Sequence, residues 1–188
     1  MPGSFKKDDL RVVKTRKVIL AALSGLLETR NFNKITVYHL SEEAQISRST
    51  FYAHFMDKYE LLEFWLSEFK SRMSGEPCAY EAIEKKVNDY VSGNKNTVRN
   101  LIENADNETR KLLGDFLLSL LNITAVRTDA GKINQRDIVL SNIGRGALLQ
   151  YLSWQAANKF PESLPVMNPL IYEFLLYLKK WGETQKST

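Results

Sequence analysis

The chain has 188 residues, 44% hydrophobic and 26% charged, with a formal net charge of +4. These values suit a soluble globular protein of one large or two small domains. One cysteine, Cys78, excludes an internal disulfide and a cysteine-cluster zinc site, and two histidines, His39 and His54, argue against a histidine metal site.

No metal and no cofactor is therefore expected. The chain shows no basic start followed by an apolar run and a cleavage site, so no secretory signal is expected. The longest apolar stretches, LLGDFLLSLL and LIYEFLLYL, are interrupted by Asp115 and Glu173. A membrane helix needs about 18 or more apolar residues, so no membrane partner is expected and the protein reads as cytoplasmic. Residues 1–60 hold 10 Lys/Arg against 7 Asp/Glu, which places +3 of the charge in the first third. A charged terminus is usually only solvated, so this excess does not by itself indicate a partner.

Helical periodicity runs through the chain. In LRVVKTRKVILAALSGLLETR, Ile19, Leu23, Leu26 and Leu27 share a face, Asp8 and Asp9 suit the start, and Asn31 suits a left-handed stop. Thr36 can cap VYHLSEEA, Ser47 can cap RSTFYAHF, and Asp57 can cap a longer helix with Leu62, Trp65, Leu66, Phe69 and Met73 in one stripe. SGEPC at 74–78 breaks the pattern. Helices then follow at about 80–92, 95–105 and 107–125, a polar loop RTDAGKINQ, a long helix at about 136–159, and a last helix opened by Asn168 and Pro169. The expectation is an all-α protein of about nine helices. Residues 8–56 would form a three-helix helix-turn-helix domain, with the motif itself at about 36–55. Residues 57–73 would form a connecting helix, and 74–188 a C-terminal ligand-binding and dimerisation domain.

The second and third helices are joined by AQIS, too tight a link for them to lie antiparallel. They must cross steeply, as in a helix-turn-helix. Val37, Leu40, Ala44, Ile46, Phe51 and Phe55 then form a small core with the first helix. Arg48, Ser49, Thr50, Tyr52 and His54 are left pointing outward. Arginine pairs with guanine edges, threonine offers a hydroxyl and a methyl, and Tyr, His and Lys donate to phosphates. Lys58, in the first turn of the fourth helix, opposes the helix dipole, and a phosphate would explain its place. His39 reads as a solvated histidine. Gly144-Arg-Gly146 lacks the strand and third glycine of a dinucleotide site and reads as an aid to close packing.

TVYHLSEEAQISRSTFYAHFMDKYELL, preceded by TRKVILAALSGLLETRNF, resembles the DNA-binding domain of TetR-family transcriptional regulators over residues 15–62. The resemblance implies that Thr36, Tyr52, His54 and Lys58 hold the DNA backbone and that the third helix enters the major groove. The DNA-binding set is thus Thr36, Ser47, Arg48, Ser49, Thr50, Tyr52, His54 and Lys58, with a palindromic double-stranded operator as partner. Gln45 stands where the family has a turn glycine, and its side chain is penalised at positive φ.

The C-terminal helices carry more apolar surface than one monomer hides. Ile143, Ala147, Tyr151 and Trp154 form one stripe, and Leu170, Phe174 and Leu178 another. Meeting a symmetry copy, they would build a four-helix interface, and the resemblance implies the same homodimer. Gly144, Trp154 and Asn168-Pro169 resemble the subgroup of dihydroxyacetone-kinase regulators. Trp65, Phe69, Tyr90, Phe116 and Leu120 are candidates to line a pocket for an unknown small-molecule effector, although apolar residues at this spacing are more often plain core. No catalytic constellation is present. The expected function is a DNA-binding transcriptional regulator, a repressor under effector control. The rival is a helical adaptor or ligand-binding protein of the same fold that no longer recognises DNA.

Overall fold

The computed structural model describes residues 10–73, 80–120, 135–161, 165 and 169–184. The residues Asp8, Asp9, Cys78 and Asn168, the loop 127–134 and the side chain of Leu178 lie outside the described part. The described chain is all helical: α1 (Leu10–Thr29), a 3-10 turn (Phe32–Lys34), α2 (Val37–Glu43), α3 (Arg48–Tyr52), α4 (Lys58–Met73), α5 (Tyr80–Gly93), α6 (Lys95–Ile102), α7 (Asn107–Leu120), α8 (Gln135–Ala157) and α9 (Pro169–Thr184). No strand occurs among the described residues. None of their helices is long and apolar enough to cross a membrane.

The packing follows the apolar stripes. α1 lies against α2 and α6, α4 against α7, α7 beside α8, and α9 on α8. Leu23 and Leu27 of α1 meet Leu40 of α2, Phe51 of α3 and Leu61 and Leu62 of α4 in one fully buried cluster. Burying each such side chain is worth roughly 1.5–3 kcal/mol. The cluster continues through Leu113, Leu117 and Leu148 to Leu175, so the N-terminal helices share their core with the rest of the chain.

Several local expectations are corrected. α3 ends at Tyr52 rather than Phe55, and α6 at Ile102 rather than 105. Asn31 does not stop α1 in a left-handed conformation: its φ is −60° and ψ 139°, and the chain passes through the 3-10 turn instead. Gly144 does allow close packing, since a Cβ there would sit 3.0 Å from Leu118 and 3.1 Å from Leu175, whereas Gly146 has open space around it.

Candidate nucleic-acid interface

The helix-turn-helix is assembled by local capping. The Thr36 hydroxyl accepts the His39 backbone N–H (3.3 Å), and the His39 ring Nδ1 accepts the Thr36 backbone N–H (3.3 Å), a reciprocal capping box. His39, half-exposed, thus has a capping role that its sequence position did not suggest. Glutamate or glutamine usually fills this role, so histidine gave no signal. At the turn, Gln45 has φ 53°, and Ile46 N–H reaches back to Ser41 O at 3.0 Å. A left-handed non-glycine residue costs about 1–2 kcal/mol, so the strain expected from the missing glycine is present.

Ser47 caps α3 by accepting the Thr50 backbone N–H at 3.0 Å. Its hydroxyl also bonds those of Ser49 (2.7 Å) and Thr50 (2.8 Å). These three hydroxyls thus bond one another, which leaves each with further hydrogen-bonding capacity. Phe51 and Phe55 point into the core, which leaves Arg48, Ser49 and Tyr52 exposed and Thr50 and His54 half-buried. Tyr52 is held by an edge-on contact with Phe51, ring centroids 5.7 Å apart. Thr36 is exposed at the start of α2. The structure therefore brings seven of the expected residues onto the α2–α3 surface.

Lys58 lies apart from these seven, at the α1–α2 junction. Its ammonium donates to three backbone carbonyls, Phe32 (3.1 Å), Asn33 (3.2 Å) and Ile35 (3.2 Å). It also lies over the rings of Phe32 (4.7 Å) and Tyr59 (5.3 Å). Burial pushes its pKa below 10.5 against the pull of Asp106 and Asp57. Three N–H groups meet three oxygens, so the ammonium is fully engaged. The cation in the first turn of α4 thus gathers the carbonyls of the α1–α2 junction.

The same junction is tied to the far side of the molecule. Tyr59 donates to Asp106 Oδ2 at 2.8 Å, Asn31 donates to Glu103 O at 3.3 Å, and Asn33 donates to Asn104 O. Asn104 itself has φ 57°. Higher up, Asn100 donates to Leu27 O (2.8 Å) and Trp65 to the Ser24 hydroxyl (3.0 Å). The α6–α7 turn thus grips the helix-turn-helix unit at its base. Sequence reasoning missed Asn31, Asn33 and Asp106 in this role, because polar turn residues more than 40 positions from their partners carry no local pattern.

The Tyr59–Asp106 bond makes a pH prediction. The hydrogen bond to Asp106, then burial, push Tyr59 from 10.0 to about 12. Burial works to raise Asp106, but bonds from the Thr109 backbone and the Tyr59 hydroxyl outweigh it and hold the carboxyl below 3.8. A raised phenol stabilises the fold below pH 10 and loses that contribution as pH rises toward about 12. A lowered carboxyl stabilises it above 3.8 and loses that contribution as pH falls further. Tyr59→Phe should therefore cost about 1 kcal/mol near neutrality, both groups being partly exposed. The gap from wild type should close at both extremes. Urea unfolding across pH checks this, and a pH-independent gap would contradict it.

Trp65, Phe69, Tyr90, Phe116 and Leu120 do come together, around an apolar cavity of about 80 Å³. Phe69 is its hub, with ring centroids 4.4 Å from Tyr90, 5.7 Å from Phe116 and 6.2 Å from Trp65. On the outer side, Ile143, Trp154, Leu170 and Phe174 are exposed across α8 and α9, together with Ile138, Val139 and Tyr177. Ala147 and Tyr151 are only half-buried, and the Tyr151 hydroxyl donates to Pro165 O at 2.7 Å.

Known proteins agree with this architecture. Residues 19–63 match the family model of bacterial regulatory proteins, tetR family. An uncharacterised HTH-type transcriptional regulator of Bacillus subtilis (strain 168), YxbF, is 37% identical over 67 residues, 34% of this chain; the match spans 18% of that protein's length. A TetR transcriptional regulator from Streptococcus agalactiae 2603V superposes with a TM-score of 0.54 at 22% identity, covering 92% of this chain and 96% of that one. The dihydroxyacetone kinase operon activator DhaS superposes with a TM-score of 0.52 at 14% identity, over the same shares. At these identities the two structures speak for the fold alone, and the family match is confined to residues 19–63. With its capped helix-turn-helix, the segment 19–63 is that of the tetR family of bacterial regulatory proteins, and it stands on an all-helical fold shared with regulators of that family.

Proposed function

We propose that the protein is a homodimeric cytoplasmic repressor that seats α3 of each subunit in the major groove of a palindromic operator and releases it on binding a small molecule. The observation that carries the reading is the sorting of α3. Phe51 is fully buried, while Arg48, Ser49 and Tyr52 face solvent behind the Ser47 cap. Arg48 has the reach and the bidentate fork to read a guanine. Thr36, Ser47, Ser49, Thr50, Tyr52 and His54 supply hydroxyl, phenol and imidazole donors to flanking phosphates. Residues 8–56 serve as the DNA-binding domain, 57–73 as its connecting helix and 74–188 as the ligand and dimer domain. The exposed apolar rows of α8 and α9 supply the dimer face.

Selection of bound sequences from random DNA by the purified protein tests this. A palindrome supports the regulator, and flat enrichment favours the adaptor that has lost DNA recognition. On the selected operator, Arg48→Ala should relax base preference in each half-site by roughly 1–3 kcal/mol. Equal weakening on specific and scrambled DNA would remove Arg48 from the readout. DhaS is an activator by name. A reporter with the operator between promoter and gene separates repression from activation.

A further inference from the structure

An effector needs a site, and an apolar cavity of about 80 Å³ has room for only a few water-sized groups. A wider cleft of about 460 Å³ opens between α1, α4, α5 and α6. Trp65, Phe69 and Tyr90 line both spaces, the first wholly apolar and the second with charged and polar side chains among its walls. Lys17 and Glu28 of α1 and Glu68 and Arg72 of α4 line the remaining walls, two charges of each sign. Among the described residues no salt bridge joins these four to one another. Glu28 accepts the Thr97 hydroxyl at 2.5 Å, which fixes that carboxylate at the cleft wall. Burial and Glu28 raise the Tyr90 pKa while Arg72 opposes them, so charges of both signs surround one phenol.

The combination restricts the ligand. A body that stacks on three aromatic side chains is itself flat or aromatic. A bare cation would bring its charge beside Lys17 and Arg72, and a bare anion beside Glu28 and Glu68; either meets like charge. We propose that the cleft binds an aromatic zwitterion of the α-amino-acid type, its ring against Trp65, Phe69 and Tyr90, its carboxylate on the Arg72 guanidinium and its ammonium on Glu28. This deepens the effector reading above by naming the class of ligand. Because Glu28 belongs to α1 and Arg72 to α4, the bound molecule would join the helix-turn-helix unit to its connecting helix.

Isothermal titration of the full chain with L-phenylalanine and L-tryptophan tests the site without DNA. Phenethylamine and 3-phenylpropanoate serve as single-charge analogues. The expected result is saturable binding of at least one amino acid, with both analogues about tenfold weaker or more. Glu28→Gln, which keeps an acceptor for Thr97, and Arg72→Gln should each weaken it about tenfold, as loss of one charge-assisted bond does. Absence of heat at millimolar amino acid, analogues that bind as tightly, or variants that bind like wild type would each overturn the proposal. Operator titration with the same ligand separates the two ideas. Binding with unchanged DNA affinity keeps the cleft and removes the effector reading.

Discussion

Phe174→Asp is expected to give a protein that sediments as a monomer and holds a palindromic operator at least about 100-fold more weakly than wild type. Phe174 is half-exposed on α9 beside Leu170 and Tyr177, and α8 presents Ile138, Val139, Ile143 and Trp154 as further exposed apolar groups. Large exposed apolar groups on two packed helices suit an interaction surface better than a solvated one. A helix pair from each copy would bury them in an isologous four-helix contact. A carboxylate placed at the centre of that contact has no partner, and an unpaired buried charge costs several kcal/mol or forces the interface apart. Each 1.4 kcal/mol is about a factor of ten, which sets the size of the expected loss. The α2–α3 surface is untouched by the change, so DNA binding would fail only because each half-site is then held alone. Sedimentation and operator titration on the same preparation check both parts. A variant that stays dimeric would place the interface elsewhere.

The second large effect is expected at Lys58. Lys58→Ala removes the ammonium from three carbonyls and two ring faces at once. Hydrogen bonds to charged groups are worth about 1.5–3 kcal/mol singly and are not additive. A total of about 2–3 kcal/mol is therefore expected, read as a lower denaturant midpoint. Lys58→Arg should not restore it, because a planar guanidinium cannot converge on three oxygens as an ammonium can. The salt dependence of operator binding should keep its slope, since no phosphate contact is lost. A variant of normal stability whose log–log salt slope falls by about one per half-site would restore the phosphate role instead.

These two residues show how unevenly the site was legible. The caps at Thr36, Ser47 and Asp57 could be read directly, because each depends on a hydroxyl or carboxylate two or three positions from the N–H it accepts. The burial of Phe51 and exposure of Tyr52 follow from helical periodicity alone. The carbonyl contacts of Lys58 were missed because periodicity shows that a side chain leaves the core but not what lies within reach of its four methylenes. The capping role of His39 was missed because a ring nitrogen standing in for glutamate leaves no pattern.

The sequence by itself determined the order of the helices, the caps at Thr36, Ser47 and Asp57 and the helix-turn-helix, all of which rest on interactions within about four residues or on a repeat of 3.6. Tertiary structure alone decided what the polar groups at element ends do. It brought Asn31, Asn33 and Tyr59 to the α6–α7 turn, closed Lys58 over the α1–α2 junction, and set Glu28 and Arg72 on two sides of the Tyr90 cleft. The physical reason is range. An apolar side chain is driven to any apolar neighbour, so its burial is predictable without knowing which one it meets. A hydrogen bond needs a particular partner at about 3 Å, and only the assembled fold supplies it.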